Sequence, residues 1–313
     1  MRICSFVPGA TEVVAALGLS DSLVGISHEC DYPMSVRHAP VLIRPAVSSD
    51  AATSIDIDRR VKEVVSSGRR LYRLDEQALI DANPDTILTQ DLCHVCAVTP
   101  DQLDRATQAL PRHPRMLTLS PSTLEDVIHD VERIGEAVDC AAEGRRLAET
   151  LRQRVAAVQE QAAGQAAHPR VLCLEWLSPL YIGGHWVPDM VQRAGGTDVL
   201  GSTAAPSRET NWQEIGQAKP EVVILMPCGF SSQRAYKELQ QLAATDVQWS
   251  HALATWPHTF IVDAASYFSR PGPRLVDGLE LLAAVISGDS WRRFGAGVVR
   301  QVPASFVRNG LSS

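Results

Sequence analysis

Short apolar runs rich in β-branched residues alternate along this chain with segments of helical periodicity. This order of elements builds parallel sheets, because each strand is followed by a helix that crosses back over the sheet. The runs form two sets, at residues 3–7, 23–27, 86–89 and 116–119, and at residues 171–174, 221–226 and 259–262. The pattern therefore predicts two α/β units, each built on one parallel sheet.

A stretch with almost no turn signals, residues 122–164, separates the two sets. It opens with Ser122 and Glu125 at the spacing of a capping box, and apolar residues follow at helical spacing. A second helical pattern covers residues 141–163, and a helix of that length would extend about 35 Å. We expect this helix either to join the two units or to pack on one sheet as an ordinary crossover helix.

Charge and motif content narrow the classes of function. The chain has 29 Lys and Arg against 36 Asp and Glu, a net charge of −7, so no basic surface for nucleic acid is indicated. Its three lysines do not occur in a P-loop pattern, which excludes that type of nucleotide site. The G-x-S-x-G motif is also absent, and we expect a protein without enzymatic activity. The enzyme alternative is a cleft cysteine as nucleophile with His28, His94 or His185 as base.

Three observations bear on the location of the protein. No apolar stretch approaches the ~18 residues of a membrane span. The first predicted strand begins at Ile3, which leaves no room for a cleavable leader. The chain has seven cysteines, so at least one is unpaired, which suits a reducing compartment. We therefore expect a cytoplasmic protein.

Six segments resemble those of the helical-backbone substrate-binding proteins that carry cobalamin or ferric siderophores. They are SFVPGATE (5–12), LVGISHECDYP (23–33), NPDTILTQ (83–90), GGHWVPDM (183–190), AGG (194–196) and KPEVVIL (219–225). The phrases HECDYP (28–33) and QDLCHVC (90–96) are most similar to a subgroup labelled cobalamin-binding. The chain differs from transport members of the family because it shows no export signal, which puts docking to a membrane importer in doubt.

The resemblance implies an α/β fold of two Rossmann-like lobes with parallel sheets, joined by a long connecting helix. It implies a ligand in the cleft between the lobes, and carriage rather than chemistry. The expected ligand is a cobalamin-like corrinoid or a related metal complex. We expect an N-terminal lobe at residues 1–121, a helical segment with the connecting helix at 122–165, and a C-terminal lobe with a terminal helix at 166–313.

Residues that follow the predicted strands are the candidates for ligand contact, because ligands of open parallel sheets bind beyond the carboxyl ends of the strands. Aromatic residues are concentrated there, and flat rings suit a large planar ligand. For each ring the alternative is a role as a core anchor of its loop. The predicted ligand-binding residues are Tyr32, Glu175, Trp176, Tyr181, His185, Trp186, Phe230, Tyr267, Phe268 and Arg270.

Soft metal ligands also follow two strands of the first unit, namely His28 and Cys30, and Cys93 and Cys96. The C-x-x-C pair alone fits a redox pair, half of a metal site, or buried small apolar residues. Together the four residues could complete a metal site. The alternative function is therefore a cytosolic metalloprotein with an iron–sulfur cluster or a metal ion on the cleft cysteines, and the remaining possibility is inert thiols in a packed hinge.

Overall fold

The computed structural model describes residues 1–46, 52–91, 100–288, 290–303 and 306. Its strands form two sheets, one from each half of the chain. In chain order the strands are β1 Ile3–Ser5, β2 Leu23–Ser27, β3 Val41–Pro45, β4 Tyr72–Leu74, β5 Thr86–Gln90, β6 Arg115–Leu119, β7 Arg170–Leu177, β8 Leu180–Ile182, β9 Thr197–Asp198, β10 Arg208–Glu209, β11 Val222–Leu225, β12 His258–Val262 and β13 Val299–Val302.

Helices connect most of these strands and cover the sheets. In chain order they are α1 Pro8–Ala16, α2 Ser54–Ser66, α3 Glu76–Ala82, α4 Pro100–Thr107, α5 Leu124–Ala137, α6 Ala141–Ala163, α7 Val187–Arg193, α8 Trp212–Ala218, α9 Ser232–Thr245, α10 Val247–Thr255, α11 Ala264–Tyr267 and α12 Arg274–Ile286. Within the described part of the chain, no helix is both long enough and apolar enough to cross a bilayer.

The strand order of the first sheet is β4-β3-β2-β1-β5-β6, and that of the second is β10-β8-β7-β11-β12-β13, with β9 beside β7. Neighbouring central strands are parallel in both sheets, so their carboxyl ends meet at one edge. The antiparallel strands β4, β8, β10 and β13 lie towards the sheet edges. We call the first sheet with α1–α4 the first lobe, and the second sheet with α7–α12 the second lobe.

All seven predicted strands are present, and the α/β fold with two mostly parallel sheets is confirmed. The strands that the sequence did not indicate are β3, β4, β8, β9, β10 and β13. Four of them, β4, β8, β10 and β13, pair antiparallel with their neighbours, and β9 and β10 contain only two residues each. Short edge strands carry polar residues such as Arg208 and Glu209, so they lack the continuous apolar run that marks a buried parallel strand.

The two helices between the lobes occupy the segments that periodicity indicated. The capping box of α5 is one residue later than predicted: Thr123 Oγ1 accepts a hydrogen bond from the Asp126 amide at 3.1 Å, and Asp126 Oδ2 accepts one from the Thr123 amide at 2.8 Å. The helix predicted at residues 141–163 is α6, with the same bounds.

Helix α6 packs against α5 on one side and against α12 of the second lobe on the other. Its Arg152 donates hydrogen bonds to Glu125 at 2.8 Å and Glu132 at 2.7 Å, both on α5. Two residues later, Arg154 reaches Glu280 of α12 at 2.8 Å. One hydrophobic cluster includes residues of α1, α5, α6, α7 and α12. The lobes therefore share a core, and α6 connects them rather than serving one sheet alone.

Candidate functional site

The two lobes meet where the chain leaves β1 and where it leaves β12. Gly9, at the start of α1, lies so close to the second lobe that a Cβ atom built on it would be 1.8 Å from the carbonyl oxygen of Pro271. A Cβ on Gly272 would be 2.7 Å from the Cα of Gly9. Only glycine at both positions allows this backbone contact, which brings the carboxyl ends of the strands of both sheets together.

Arginines of the second lobe form ion pairs with acids of the first lobe at this interface. Arg270, whose side chain is 11% exposed, donates to Asp31 at 2.5 Å and to Glu29 at 3.2 Å. The hydrogen bond with His28, and then the charges of His28 and Arg270, lower the pKa of Glu29 against the effect of burial. Arg270 is among the predicted ligand-binding residues, but the structure pairs its guanidinium with two carboxylates of the protein itself.

Arg274 forms a second cross-lobe contact and lies near two tyrosines, Tyr32 and Tyr267. Its guanidinium donates to both carboxylate oxygens of Glu12, at 2.6 and 3.1 Å, and Glu12 is only 5% exposed. The guanidinium carbon lies 4.1 Å from the ring centre of Tyr32 in the first lobe and 6.0 Å from that of Tyr267 in the second. Two candidate rings, one from each lobe, therefore lie beside the same arginine. Of these, Tyr32 is 49% exposed.

His185 lies in a tightly held loop between β8 and α7. Glu175 accepts hydrogen bonds from the Gly184 amide at 3.3 Å and from Ser207 Oγ at 3.0 Å. A Cβ on Gly184 would be 2.2 Å from the amide nitrogen of Ser207, so this position requires glycine. His185 itself has φ of 52°, and its amide donates to Ala205 at 2.6 Å. Glu175 therefore anchors the loop that presents the half-buried His185.

Burial lowers the pKa of His185 below its ordinary value. The imidazole is therefore neutral at pH 7 and has a free nitrogen lone pair for a metal. The next residue, Trp186, donates from Nε1 to the Phe268 carbonyl at 2.9 Å. This hydrogen bond ties the His185 loop to the segment that carries Tyr267.

Three of the predicted ligand aromatics are core residues. Trp186 is 5% exposed, Phe230 is 2% exposed and Phe268 is 3% exposed. Trp186 and Phe268 belong to the core that both lobes share, and Phe230 belongs to the core on the other face of the second sheet. The prediction that these rings line the ligand face does not fit the structure, because their side chains have almost no accessible surface.

Trp176 and Tyr181 are partly exposed and lie in the hairpin of β7 and β8. The Trp176 ring packs edge-on against Phe230, with 5.4 Å between centroids, and its Nε1 donates to the carbonyl of Ser54 in the first lobe at 3.2 Å. The Tyr181 hydroxyl donates to Glu209 at 3.5 Å. The Trp176 ring therefore lies at the boundary with the first lobe.

The predicted metal site is only partly within the described residues, because Cys93 and Cys96 lie outside them. Cys30 does not line the cleft: it is 3% exposed, with Sγ 3.0 Å from Thr11 Oγ1 and 3.6 Å from the Ser5 carbonyl. His28 is partly exposed, pairs with Glu29 at 3.3 Å and packs against Tyr72. Among the residues that the structure describes, no three His, Cys, Asp or Glu side chains form a group that could hold a metal ion.

We predict that Cys30 reacts slowly with thiol reagents in the folded protein, because burial raises its pKa to about 11. At pH 8 only about one thiol in a thousand would then be ionised, and the thiolate is the reactive form. Mass spectrometry after brief alkylation should find Cys30 unmodified until denaturant is added, whereas Cys228, which is partly exposed, serves as the more accessible comparison. Equal labelling of both thiols in native protein would show that Cys30 is accessible.

The sequence did not indicate Glu12 and Arg274 as functional residues. Their partnership spans 262 positions, so no local pattern relates them. One signal was available, because Glu12 is the only charged residue in the otherwise apolar helix PGATEVVAA. A single charge in such a helix predicts a buried carboxylate with a paired cation.

A cavity of about 390 Å³ lies apart from this interface, near the end of α6 and beside α7. Its lining includes Gln159, His168, Asp189 and Arg193. Asp189 and Arg193 pair with each other at 2.8 Å, and Asp189 also accepts from the Leu124 amide at 3.2 Å. The charged groups of this cavity already have partners, so we place the candidate ligand site at the interface of the lobes.

A family model described as periplasmic binding protein matches residues 3–255 of the chain. The vitamin B12-binding protein of Vibrio parahaemolyticus serotype O3:K6 is 23% identical over 286 residues, which cover 89% of this chain and 86% of that protein.

Two solved structures have a similar fold. The periplasmic vitamin B12-binding protein BtuF of Vibrio cholerae superimposes with a TM-score of 0.65 at 18% identity, covering 91% of this chain and 96% of that one. The periplasmic heme-binding protein RhuT from Roseiflexus sp. RS-1, in its apo form, gives a TM-score of 0.67 at 18% identity, covering 92% and 98%. The chain belongs to the periplasmic binding protein family, and it is a binding protein rather than an enzyme.

Proposed function

We propose that this protein binds a metal-containing tetrapyrrole, preferably a cobalamin-like corrinoid, in the cleft between its lobes. The observation that carries the proposal is the set of groups around Arg274: the rings of Tyr32 and Tyr267 come from different lobes and lie beside the same guanidinium. The neutral imidazole of His185 lies in the loop that the bond from Trp186 to Phe268 ties to Tyr267.

These groups suit the chemistry of a flat macrocycle with a central metal. Aromatic rings stack on a planar conjugated surface and exclude water from it. A neutral imidazole is a ligand for cobalt and iron, and it binds at neutral pH without first losing a proton. A tetrapyrrole between the lobes would therefore contact tyrosines on both sides while its metal faced His185.

The relatives support the same class of ligand. One protein similar over most of this chain is named a vitamin B12-binding protein, and a protein of similar fold is named a heme-binding protein. Corrins and hemes are both tetrapyrrole macrocycles whose central metal has axial coordination positions. We give preference to the corrinoid because the similarity in sequence, and not only in fold, is to a B12-binding protein.

Replacement of His185 by alanine is expected to remove the spectral shift that an axial imidazole causes when the protein is titrated with aquocobalamin or hemin. Replacement of Tyr267 by alanine should leave that shift intact and weaken binding by about 1–3 kcal/mol, because one aromatic contact is lost. Absorption titrations measure both effects.

The matched control is His251→Ala, since His251 is an exposed histidine of α10. This variant should bind as the unmodified protein does. An unchanged spectrum and affinity in the His185 variant would contradict coordination by His185. Absence of saturable binding of either tetrapyrrole to the unmodified protein would contradict the proposed function.

A further inference from the structure

The start of α2, a helix of the first lobe, packs on the second lobe beside Trp176 and Phe230. We call this packing of residues 52–57 on the second lobe the α2 contact. Ser54 is the first residue of α2 and is fully buried. Its amide donates to Glu238 of α9 at 2.7 Å, and its carbonyl accepts from Trp176 Nε1 at 3.2 Å. The amide and carbonyl of one first-lobe residue are thus both bonded to side chains of the second lobe.

Residues on both sides of Ser54 also contact the second lobe. Arg234 of α9 donates to the Ala52 carbonyl at 3.1 Å, and its guanidinium carbon lies 3.7 Å from the ring centre of Phe230. Ile57, one turn into α2, packs against the hydrophobic cluster of the second lobe. The first turn of α2 and the residue before its cap therefore contact the second lobe beside the hairpin of β7 and β8.

Two predicted ligand residues are engaged by this contact. Trp176 Nε1 donates to the Ser54 carbonyl, and one face of Phe230 is covered by Arg234, which also donates to Ala52. A ligand that reached the polar edge of Trp176 would have to displace Ser54. Either α2 moves when the ligand binds, or the ligand uses only the tyrosine side of the cleft.

The α2 contact combines a favourable hydrogen bond with one buried polar atom that has no hydrogen-bond partner. Glu238 is 7% exposed, and a buried carboxylate at the first amides of a helix is a favourable charge-assisted contact. The hydroxyl oxygen of Ser54 is buried without a hydrogen-bond partner, which costs free energy that release of α2 into water would recover. A contact with both features suits a segment that is held in place without ligand and can be displaced.

We propose that the N-terminal part of α2 occupies the second-lobe half of the ligand cleft in the free protein, and that the ligand binds by displacing it. This inference rests on the proposed function, since α2 would compete with the ligand for the same cleft. The measured ligand affinity is then reduced by the free energy needed to release α2. A substitution that weakens the α2 contact should therefore strengthen ligand binding.

Ser54→Pro tests this inference with little disturbance to the helix. Ser54 is the first helical residue, where proline is tolerated, and Thr53 has φ of −73° and ψ of 163°, the conformation that residues before proline adopt. The substitution removes the backbone N–H that donates a hydrogen bond to Glu238. We expect aquocobalamin or hemin to bind about ten- to a hundredfold more tightly, as follows from the loss of one charge-assisted hydrogen bond from the competing state.

Glu238 offers a second, independent pair of variants. Glu238→Ala removes the acceptor for the Ser54 amide and should also tighten binding. Glu238→Gln keeps an acceptor oxygen in the same place and should bind nearly as the unmodified protein does. Glu238 is not among the groups proposed to touch the ligand, so a change in ligand affinity reports on the strength of the α2 contact.

Hydrogen exchange of the α2 amides gives a readout that needs no ligand. In Ser54→Pro and Glu238→Ala these amides should exchange faster than in the unmodified protein, and in the unmodified protein they should exchange faster once tetrapyrrole is added. Equal or weaker binding by the two variants, or slower exchange in α2 upon loading, would overturn the inference and make α2 a wall of the site. Failure of the unmodified protein to bind either tetrapyrrole would overturn the proposed function, and the inference with it.

Discussion

Replacement of Arg274 by alanine is expected to destabilise the protein by about 3–5 kcal/mol, because it leaves the buried carboxylate of Glu12 without its partner. The side chains of Arg274 and Glu12 are 13% and 4% exposed, so water cannot replace the lost guanidinium. Burial raises the pKa of Glu12 despite the hydrogen bonds from Arg274. The loss should therefore be smaller in acid, where Glu12 is protonated in both the folded and the unfolded state. Urea unfolding at several pH values measures it.

Two controls separate the buried pair from a general effect of losing charge. Arg146→Ala removes a surface pair, since Arg146 is 71% and its partner Glu143 46% exposed, and it should leave stability almost unchanged. The double variant Glu12→Ala with Arg274→Ala should be less destabilised than the sum of the two single variants. If Arg274→Ala unfolds at the same urea concentration as Arg146→Ala, the cross-lobe pair does not stabilise the fold.

Replacement of Gly9 by alanine is expected to cost about 3 kcal/mol and to loosen the contact between the lobes. The added Cβ would lie 1.8 Å from the Pro271 carbonyl oxygen and 2.3 Å from its carbon, and both are backbone atoms that cannot rotate away. Helix propensity alone would favour alanine in α1, so a loss of stability reports on the clash.

Gly216→Ala is the matched control for this prediction. Gly216 also lies in a helix, α8, but a Cβ there would have no atom within 4 Å. This substitution should stabilise the protein by up to about 1 kcal/mol through helix propensity. If the Gly9 variant melts at the temperature of the Gly216 variant, the close approach of the lobes at Gly9 and Gly272 does not exist in solution.

The parts of the fold that could be predicted are those with a repeating pattern. Helix α6 has the predicted bounds because a long amphipathic segment displays its period over many turns. The central strands were evident because a parallel strand is buried on both faces and reads as one apolar run. The strands β9 and β10 contain two residues each, and a pairing so short leaves no pattern in the sequence.

The candidate site could be predicted only in part. Tyr267 follows β12, a central parallel strand, but His185 follows β8, which runs antiparallel to β7, and position along the chain does not fix the direction of a side chain. His185 and Trp186 are neighbours, but one is partly exposed and the other is 5% exposed. The contact of Ser54 with Glu238 joins residues 184 positions apart, and such pairs follow only from the packing of whole lobes.

A crystal structure of the protein loaded with aquocobalamin tests the central claim most directly. The account predicts the corrin between the lobes, with Tyr32 and Tyr267 beside the macrocycle and the cobalt facing His185. Corrinoid bound instead in the cavity lined by His168, Asp189 and Arg193, or no bound corrinoid at saturating concentration, would contradict it.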